Sequence, residues 1–139
     1  MQALLVYAHP EPQAFNAALR DVAIQTLTSQ GYDVAVSDLY AMNFDPVAGR
    51  GDFMGRLNPE VLNLSLEQRH AATHGMLNPV IAQQLETLLR ADLLILQFPL
   101  WWFGMPAILK GWIDRVFLSG VVYCRSAQFE RGKLRGKRA

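Results

Sequence analysis

One stretch, Leu93 to Phe117 (LLILQFPLWWFGMPAILKGWIDRVF), limits most strongly how this chain can fold. Its short leucine- and isoleucine-rich run stops at Pro99, a tight aromatic loop follows, and Pro106 opens a segment with Leu109, Trp112, Ile113 and Val116 on one face. That order reads as strand, loop, helix. A proline suits a helix entrance because the first helical N–H has no intrahelical partner to lose. In an open parallel sheet, ligands gather beyond the carboxyl ends of the strands, so Pro99 to Met105 falls where a cofactor would sit. Trp101, Trp102 and Phe103 are costly to leave in water at such a place. A flat apolar ligand would cover them; ordinary core packing is the competing account for any one of the three.

The amino terminus repeats the pattern. Ala3 to Ala8 is a continuous apolar run, expected of a strand covered on both faces, and it ends at His9, Pro10 and Pro12. Phe15, Leu19, Val22, Ala23 and Leu27 then recur at helical spacing, and Gly31 stands where a left-handed stop belongs. Asp33 to Ser37 alternates as a second strand, which closes a right-handed βαβ unit. Asn78 and Pro79 start another helix whose stripe is Ile81, Leu85, Leu88 and Leu89, with Glu86 and Arg90 paired on its exposed side. Between Asp38 and Asn78 the pattern is broken by Pro46, Gly49, Gly51, Gly55 and Pro59. A connection of about 40 residues far exceeds the usual 4–6 and is expected to carry function or short helices, one of them over Ser65 to His74. Gly111 inside the last helical stripe predicts a close approach by another backbone or subunit, and Gly120 is the expected end of that helix. In a five-stranded parallel order the fourth strand would begin after Gly136, at Lys137-Arg138-Ala139.

Composition narrows the function classes. With 139 residues, 51% hydrophobic and 18% charged, the chain is one domain able to bury a core. A net charge of +1 gives no general attraction to nucleic acid or acidic membranes. Arg131, Lys133, Arg135, Lys137 and Arg138 lack interleaved aromatic residues and read as a solvated approach to a strand. The single cysteine, Cys124, excludes an internal disulfide and suits a reducing compartment. No apolar run approaches the roughly 20 residues of a membrane span, and MQALLVYAHP has no basic lead-in of a signal peptide. A cytoplasmic location is expected.

Two turns carry the candidate chemistry. His9 to Asn16 leads into a helix amino terminus, whose free N–H groups and positive dipole end favour phosphate, with His9 and Asn16 as further donors. The bland alternative is that His9 is a turn residue only. Neither GxGxxG nor GxxxxGK[ST] is present. The second turn is the aromatic loop, whose backbone amides are placed to hydrogen-bond a heterocycle while Trp102 and Phe103 stack on it. His70 and His74 have zinc-binding spacing but no third ligand in view, and solvated helix residues are the expected outcome. Cys124 has Arg125 beside it but neither a histidine nor a resolving thiol nearby in sequence.

HPEPQAFN (His9 to Asn16) and QFPLWWFGMPAILKGWIDRVF (Gln97 to Phe117) closely resemble the flavodoxin-like NAD(P)H:quinone oxidoreductases of the DT-diaphorase type and their bacterial relatives. The likeness extends through NFDP from Asn43 and the stretch Gly75 to Val80. It implies an α/β flavodoxin-like parallel sheet with helices on both faces, here without its last strands. It also implies FAD, or FMN in some relatives, with NAD(P)H as co-substrate, a quinone as acceptor and a homodimer. By the same likeness His9, Phe15 and Asn16 would hold the diphosphate, and Pro99, Leu100, Trp101, Trp102 and Phe103 the isoalloxazine. Trp102, Phe103 and Tyr123 would line the quinone and nicotinamide pocket at the dimer interface. Two positions depart from the pattern: Ala14 where relatives often have serine, and Trp101 where several have glutamine. The family's threonine- and glycine-rich loop, tyrosine and histidine lie beyond Ala139, so no catalytic side chain is assigned. The expectation is the amino-terminal portion of a two-electron reductase. An inactive remnant or an ancillary subunit of a potassium-efflux system is the alternative, and an FMN-dependent azoreductase shares most of the chemistry.

Overall fold

In the computed structural model of the chain, which describes residues 1–124, 132 and 134–139, the amino-terminal apolar run becomes the central strand. β1 (Gln2–Tyr7) pairs in parallel with β2 (Asp33–Asp38) on one side and β3 (Leu93–Gln97) on the other, giving the order β2-β1-β3. Four helices connect and cover them: α1 (Phe15–Ser29), α2 (Leu64–His74), α3 (Pro79–Arg90) and α4 (Ala107–Val116). The fold is flavodoxin-like α/β, as expected. Where the sequence placed the start of a fourth strand, Arg138 forms an isolated parallel bridge to Leu93, and no fourth strand is formed among the described residues. Lys137 reaches back to the last carbonyls of α3, its Nζ donating to Leu89 and Ala91 oxygens. Arg125, Arg131 and Lys133 lie outside the described residues.

Period-two alternation sorts β1 between two layers. Leu4, Val6 and Ala8 join the larger core with Ile81, Leu85 and Leu88 of α3 and Leu109, Trp112 and Val116 of α4. Leu5 and Tyr7 face α1 and pack on Ala17, with Ile24 and Ile95 partly covered. The long connection is ordered by a short 3₁₀ turn (Arg50–Asp52) and by α2, and it adds Leu39, Phe44, Phe53, Ala71 and Leu77 to the larger core. Both of the helix starts with asparagine are capped as the residue type allows: Asn63 accepts from Leu66 N–H and Asn78 from Val80 N–H.

Three expectations need correction. Of the expected α1 stripe, Phe15, Leu19 and Val22 face solvent, Leu27 is half-buried and Ala23 packs toward the sheet, where Ala17 and Ile24 join it. Both sides of this helix carry apolar residues. The side chosen lets Arg20 lay its guanidinium 4.7 Å from the centre of the Tyr7 ring while reaching Asp38 at 3.4 Å. The second concerns α4, which ends at Val116 rather than near Gly120. Phe117 leaves helical geometry and the Leu118 N–H turns back to the Val116 carbonyl; Gly120, at φ +86°, serves the following turn. Leu89, assigned to the buried face of α3, is exposed.

Gly111 meets its expectation. A Cβ there would stand 2.2 Å from the Pro46 carbonyl oxygen and 2.4 Å from its Cα, so only glycine lets the long connection cross α4. The crossing is fastened by buried charge. Arg115 donates from Nε and Nη2 to one oxygen of Asp52, at 3.0 and 2.8 Å, and from Nη1 to the Asp45 carbonyl. Gln84 ties α3 to the layer, its Oε1 accepting from Ser37 Oγ at 2.8 Å and Trp112 Nε1 at 2.9 Å.

Candidate functional site

Parallel pairing of β1 with β3 puts their carboxyl ends side by side, Tyr7 opposite Gln97. The two turns singled out in the sequence therefore emerge as neighbours. His9 and Trp101 face each other with ring centroids 6.2 Å apart and planes at 57°. Below them Gln97 Nε2 donates to Asn16 Oδ1 at 2.6 Å, tying the tip of β3 to the first turn of α1. Gln97 and Asn16 are 81 residues apart in sequence. Asn16 was a candidate and Gln97 was not, although a lone amide at the polar end of an apolar strand is the signal that could have found it.

The start of α1 has neither a side-chain cap nor an acidic residue in its first turn, since Ala14 occupies the cap position. Its positive end is left to solvent or to an anion. The turn before it is held by its own contacts: Glu11 N–H donates to His9 Nδ1 at 3.0 Å, and Gln13 N–H to the Glu11 carboxylate at 2.9 Å. Nδ1 also lies 3.3 Å from the Glu11 carbonyl oxygen; with Nδ1 as acceptor of the shorter bond from Glu11 N–H, Nε2 carries the ring proton and is the donor. Phe15, 76% exposed, stands at the rim of this turn.

The aromatic loop is a two-residue hairpin. Trp101 and Gly104 exchange backbone hydrogen bonds at 3.0 Å in both directions, and between them Trp102 and Phe103 adopt φ of +50° and +59°. Such a turn normally carries Asn-Gly, and two bulky residues in left-handed geometry are strained. The strain displays their rings: Trp102 is 94% exposed and Phe103 96%. Core packing is thus excluded for both. Trp101, which gives its N–H to Gly104, is half as exposed, Leu100 points outward and Pro99 is half-buried. Pro106 is buried at the entrance of α4.

Tyr123 lies elsewhere. It follows the carboxyl end of α4 and lines a cavity of about 390 Å³ with Ile113, Asp114, Phe117 and Gln68. The aromatic turn precedes the amino end of the same ten-residue helix, roughly 15 Å away along its axis. The structure does not bring Tyr123 and Trp102 together within one chain. His70 and His74 stack on α2 at 4.2 Å, His74 Nδ1 contacting the His70 carbonyl, and no metal-binding cluster occurs among the described residues. Among those residues no helix is long and apolar enough to cross a membrane.

The parallel sheet, with an open helix start and an exposed aromatic turn at neighbouring strand ends, defines an open α/β class of protein in which ligand sites lie beyond the carboxyl ends of the strands. Comparison with known proteins gives the family. A family model described as "Flavodoxin-like fold" matches residues 1–139, and the chain belongs to that family. It is 45% identical over 139 residues to NAD(P)H dehydrogenase [quinone] 1 of Cavia porcellus, covering 99% of this chain and 50% of that protein. It is 47% identical over 137 residues to human ribosyldihydronicotinamide dehydrogenase [quinone], covering 98% of this chain and 59% of the relative. A crystal structure described as a quinone reductase from Klebsiella pneumoniae superposes with a TM-score of 0.84 at 46% identity, covering 88% of this chain and 48% of that one. The chain thus spans about half the length of the relatives it matches.

Proposed function

We propose that this chain supplies the flavin-binding half of an NAD(P)H:quinone oxidoreductase site. The observation that carries this reading is the pairing of the uncapped start of α1 with the strained Trp102-Phe103 turn, joined through His9–Trp101 and Gln97–Asn16. The residues present fit the group. His9 Nε2–H, the Asn16 amide and the first N–H groups of α1 are donors for a diphosphate, and Phe15 covers its flank. Trp102 and Phe103 offer both ring faces and tip amides to an isoalloxazine, backed by Leu100 and by the backbone of Trp101 that closes the turn, with Pro99 stiffening the approach. Bound flavin would supply the two-electron chemistry between NAD(P)H and a quinone; the protein's share is binding, orientation and exclusion of water.

FAD is the favoured cofactor because the resemblance of His9 to Asn16 and Gln97 to Phe117 to the quinone oxidoreductases implies it. None of the relatives named above is described as an ancillary subunit of a potassium-efflux system. A quinone pocket that includes both Trp102 and Tyr123 requires two copies, one giving the turn and the other the end of α4. The exposed apolar residues Val47, Leu57, Val61 and Leu66 along the long connection are available to bury in such a dimer.

The test is titration of the purified chain with FAD, FMN and riboflavin, followed by flavin fluorescence, and NADPH-dependent menadione reduction. Saturable binding with quenched flavin emission is expected, tighter for the phosphate-bearing forms. Protein that binds no flavin would refute the reading.

A further inference from the structure

Of the three consecutive aromatic residues, Trp102 and Phe103 stand free while Trp101 has a partner inside the protein. Its backbone is spent on the hairpin, donating to and accepting from Gly104, so the indole is what position 101 contributes to its surroundings. That indole meets His9 at 6.2 Å and 57°, within the tilted geometry aromatic pairs favour. The imidazole is thus held twice, by the Glu11 N–H on Nδ1 and by the indole beside the ring. A histidine on an exposed turn has no other reason to keep one rotamer.

We propose that Trp101 is a positioning residue that acts through His9, holding the imidazole so that Nε2–H stays aimed as a phosphate donor and coupling the two turns into one site. This inference rests on the flavin reading above. Its consequence is selective. The Trp101 side chain contributes to binding of flavins that carry phosphate and contributes nothing to binding of the ring system alone; the backbone at 101, kept in every variant, closes the turn.

The experiment is a double-mutant cycle with Trp101→Gln and His9→Ala, read by the dissociation constants of FAD, FMN and riboflavin, with ¹⁵N spectra of the His9 ring in the flavin-free protein. A circular-dichroism melt of each variant checks that the fold is retained. Trp101→Gln is expected to weaken FAD and FMN roughly 3- to 10-fold, the range of a single aromatic contact, and to leave riboflavin unchanged. Trp101→Phe, which keeps an aromatic partner, should restore most of the loss. In the His9→Ala background Trp101→Gln should have no further effect. The free protein should show His9 as the Nε2–H tautomer, and Trp101→Gln should shift its ring resonances toward those of a mobile imidazole. Equal loss for riboflavin, or additive losses in the cycle, would show that the indole does not act through His9 and would overturn the proposal. If the unaltered chain binds no flavin, the functional reading fails by itself. The ring spectra then decide this inference, and an unchanged His9 spectrum in Trp101→Gln rejects it.

Discussion

Trp102 and Trp112 are ten residues apart and have opposite fates. Trp112 is fully buried in α4, stacks edge-on against Phe117 at 5.7 Å and gives its indole N–H to Gln84. Trp102 is 94% exposed, without a packing partner among the described residues and in a backbone conformation its side chain disfavours. One indole is satisfied by the fold and the other is held out by it. The contrast separates residues that keep the chain folded from residues the folded chain spends stability to display, which is where ligand chemistry concentrates.

The largest expected effect comes from exchanging the two environments. Trp112→Ala removes a buried indole and one of the two donors to Gln84 Oε1, and should cost about 3–5 kcal/mol of stability. Trp102→Ala should change stability by less than about 0.5 kcal/mol while weakening flavin binding. Urea melts of both variants check this. Similar losses for the two would erase the distinction.

A second effect, opposite in sign, comes from the turn itself. Left-handed geometry costs a bulky residue on the order of 1–2 kcal/mol. Replacing Trp102-Phe103 by Asn-Gly should therefore raise the stability of the flavin-free protein by about 1–2 kcal/mol and abolish isoalloxazine binding. A variant that is no more stable than the parent would show that the turn stores no strain.

Much of this was legible in sequence, for identifiable reasons. The strands and the helices flanking them announce themselves because continuous apolar runs meet Pro, Asn or Gly at nearly every boundary, and the Gly111 approach was readable from one misplaced glycine. What stayed hidden is long-range or two-sided. Arg115 and Asp52 are 63 residues apart, Gln84 and Ser37 are 47 apart, and no local pattern pairs them. The buried side of α1 was legible only at Ala23, because the helix has two apolar flanks and only the sheet decides between them. At the site, the three-aromatic loop was visible but its left-handed turn was not, since propensity argues against Trp and Phe there.

Glu67 tests whether the buried layer is purely structural. Burial pushes its carboxyl up, but the Leu57 and Asn58 N–H groups and the Arg56 guanidinium outweigh that and hold it below the usual carboxylate range. The unfolded chain therefore binds this proton more tightly than the folded one. Its stabilising contribution is complete above the unfolded value of 4.5 and is lost as pH falls through the lower, folded value. Glu67→Gln should flatten that acid limb in melts taken from pH 6 downward, and leave flavin affinity at pH 7 unchanged. A change in affinity would make this carboxylate part of the site.

The smallest effect sharpens the comparison within one helix. α4 carries two ion pairs, Arg115–Asp52 at 2.8 Å with both side chains buried, and Lys110–Asp114 at 2.6 Å with both half-exposed. Distance alone would rank the second as the stronger. Exposure reverses the order: water and salt already solvate Lys110, so Lys110→Ala should cost only about 0.3–0.5 kcal/mol and lose even that in high salt. Arg115→Met leaves Asp52 charged and buried without its partner, a defect of about 3–5 kcal/mol that salt does not relieve. Melts of the two variants at low and high ionic strength separate these cases. A salt-insensitive loss for Lys110→Ala would mean that the outer face of α4 is covered in solution, and the neighbouring copy is the surface to examine for it.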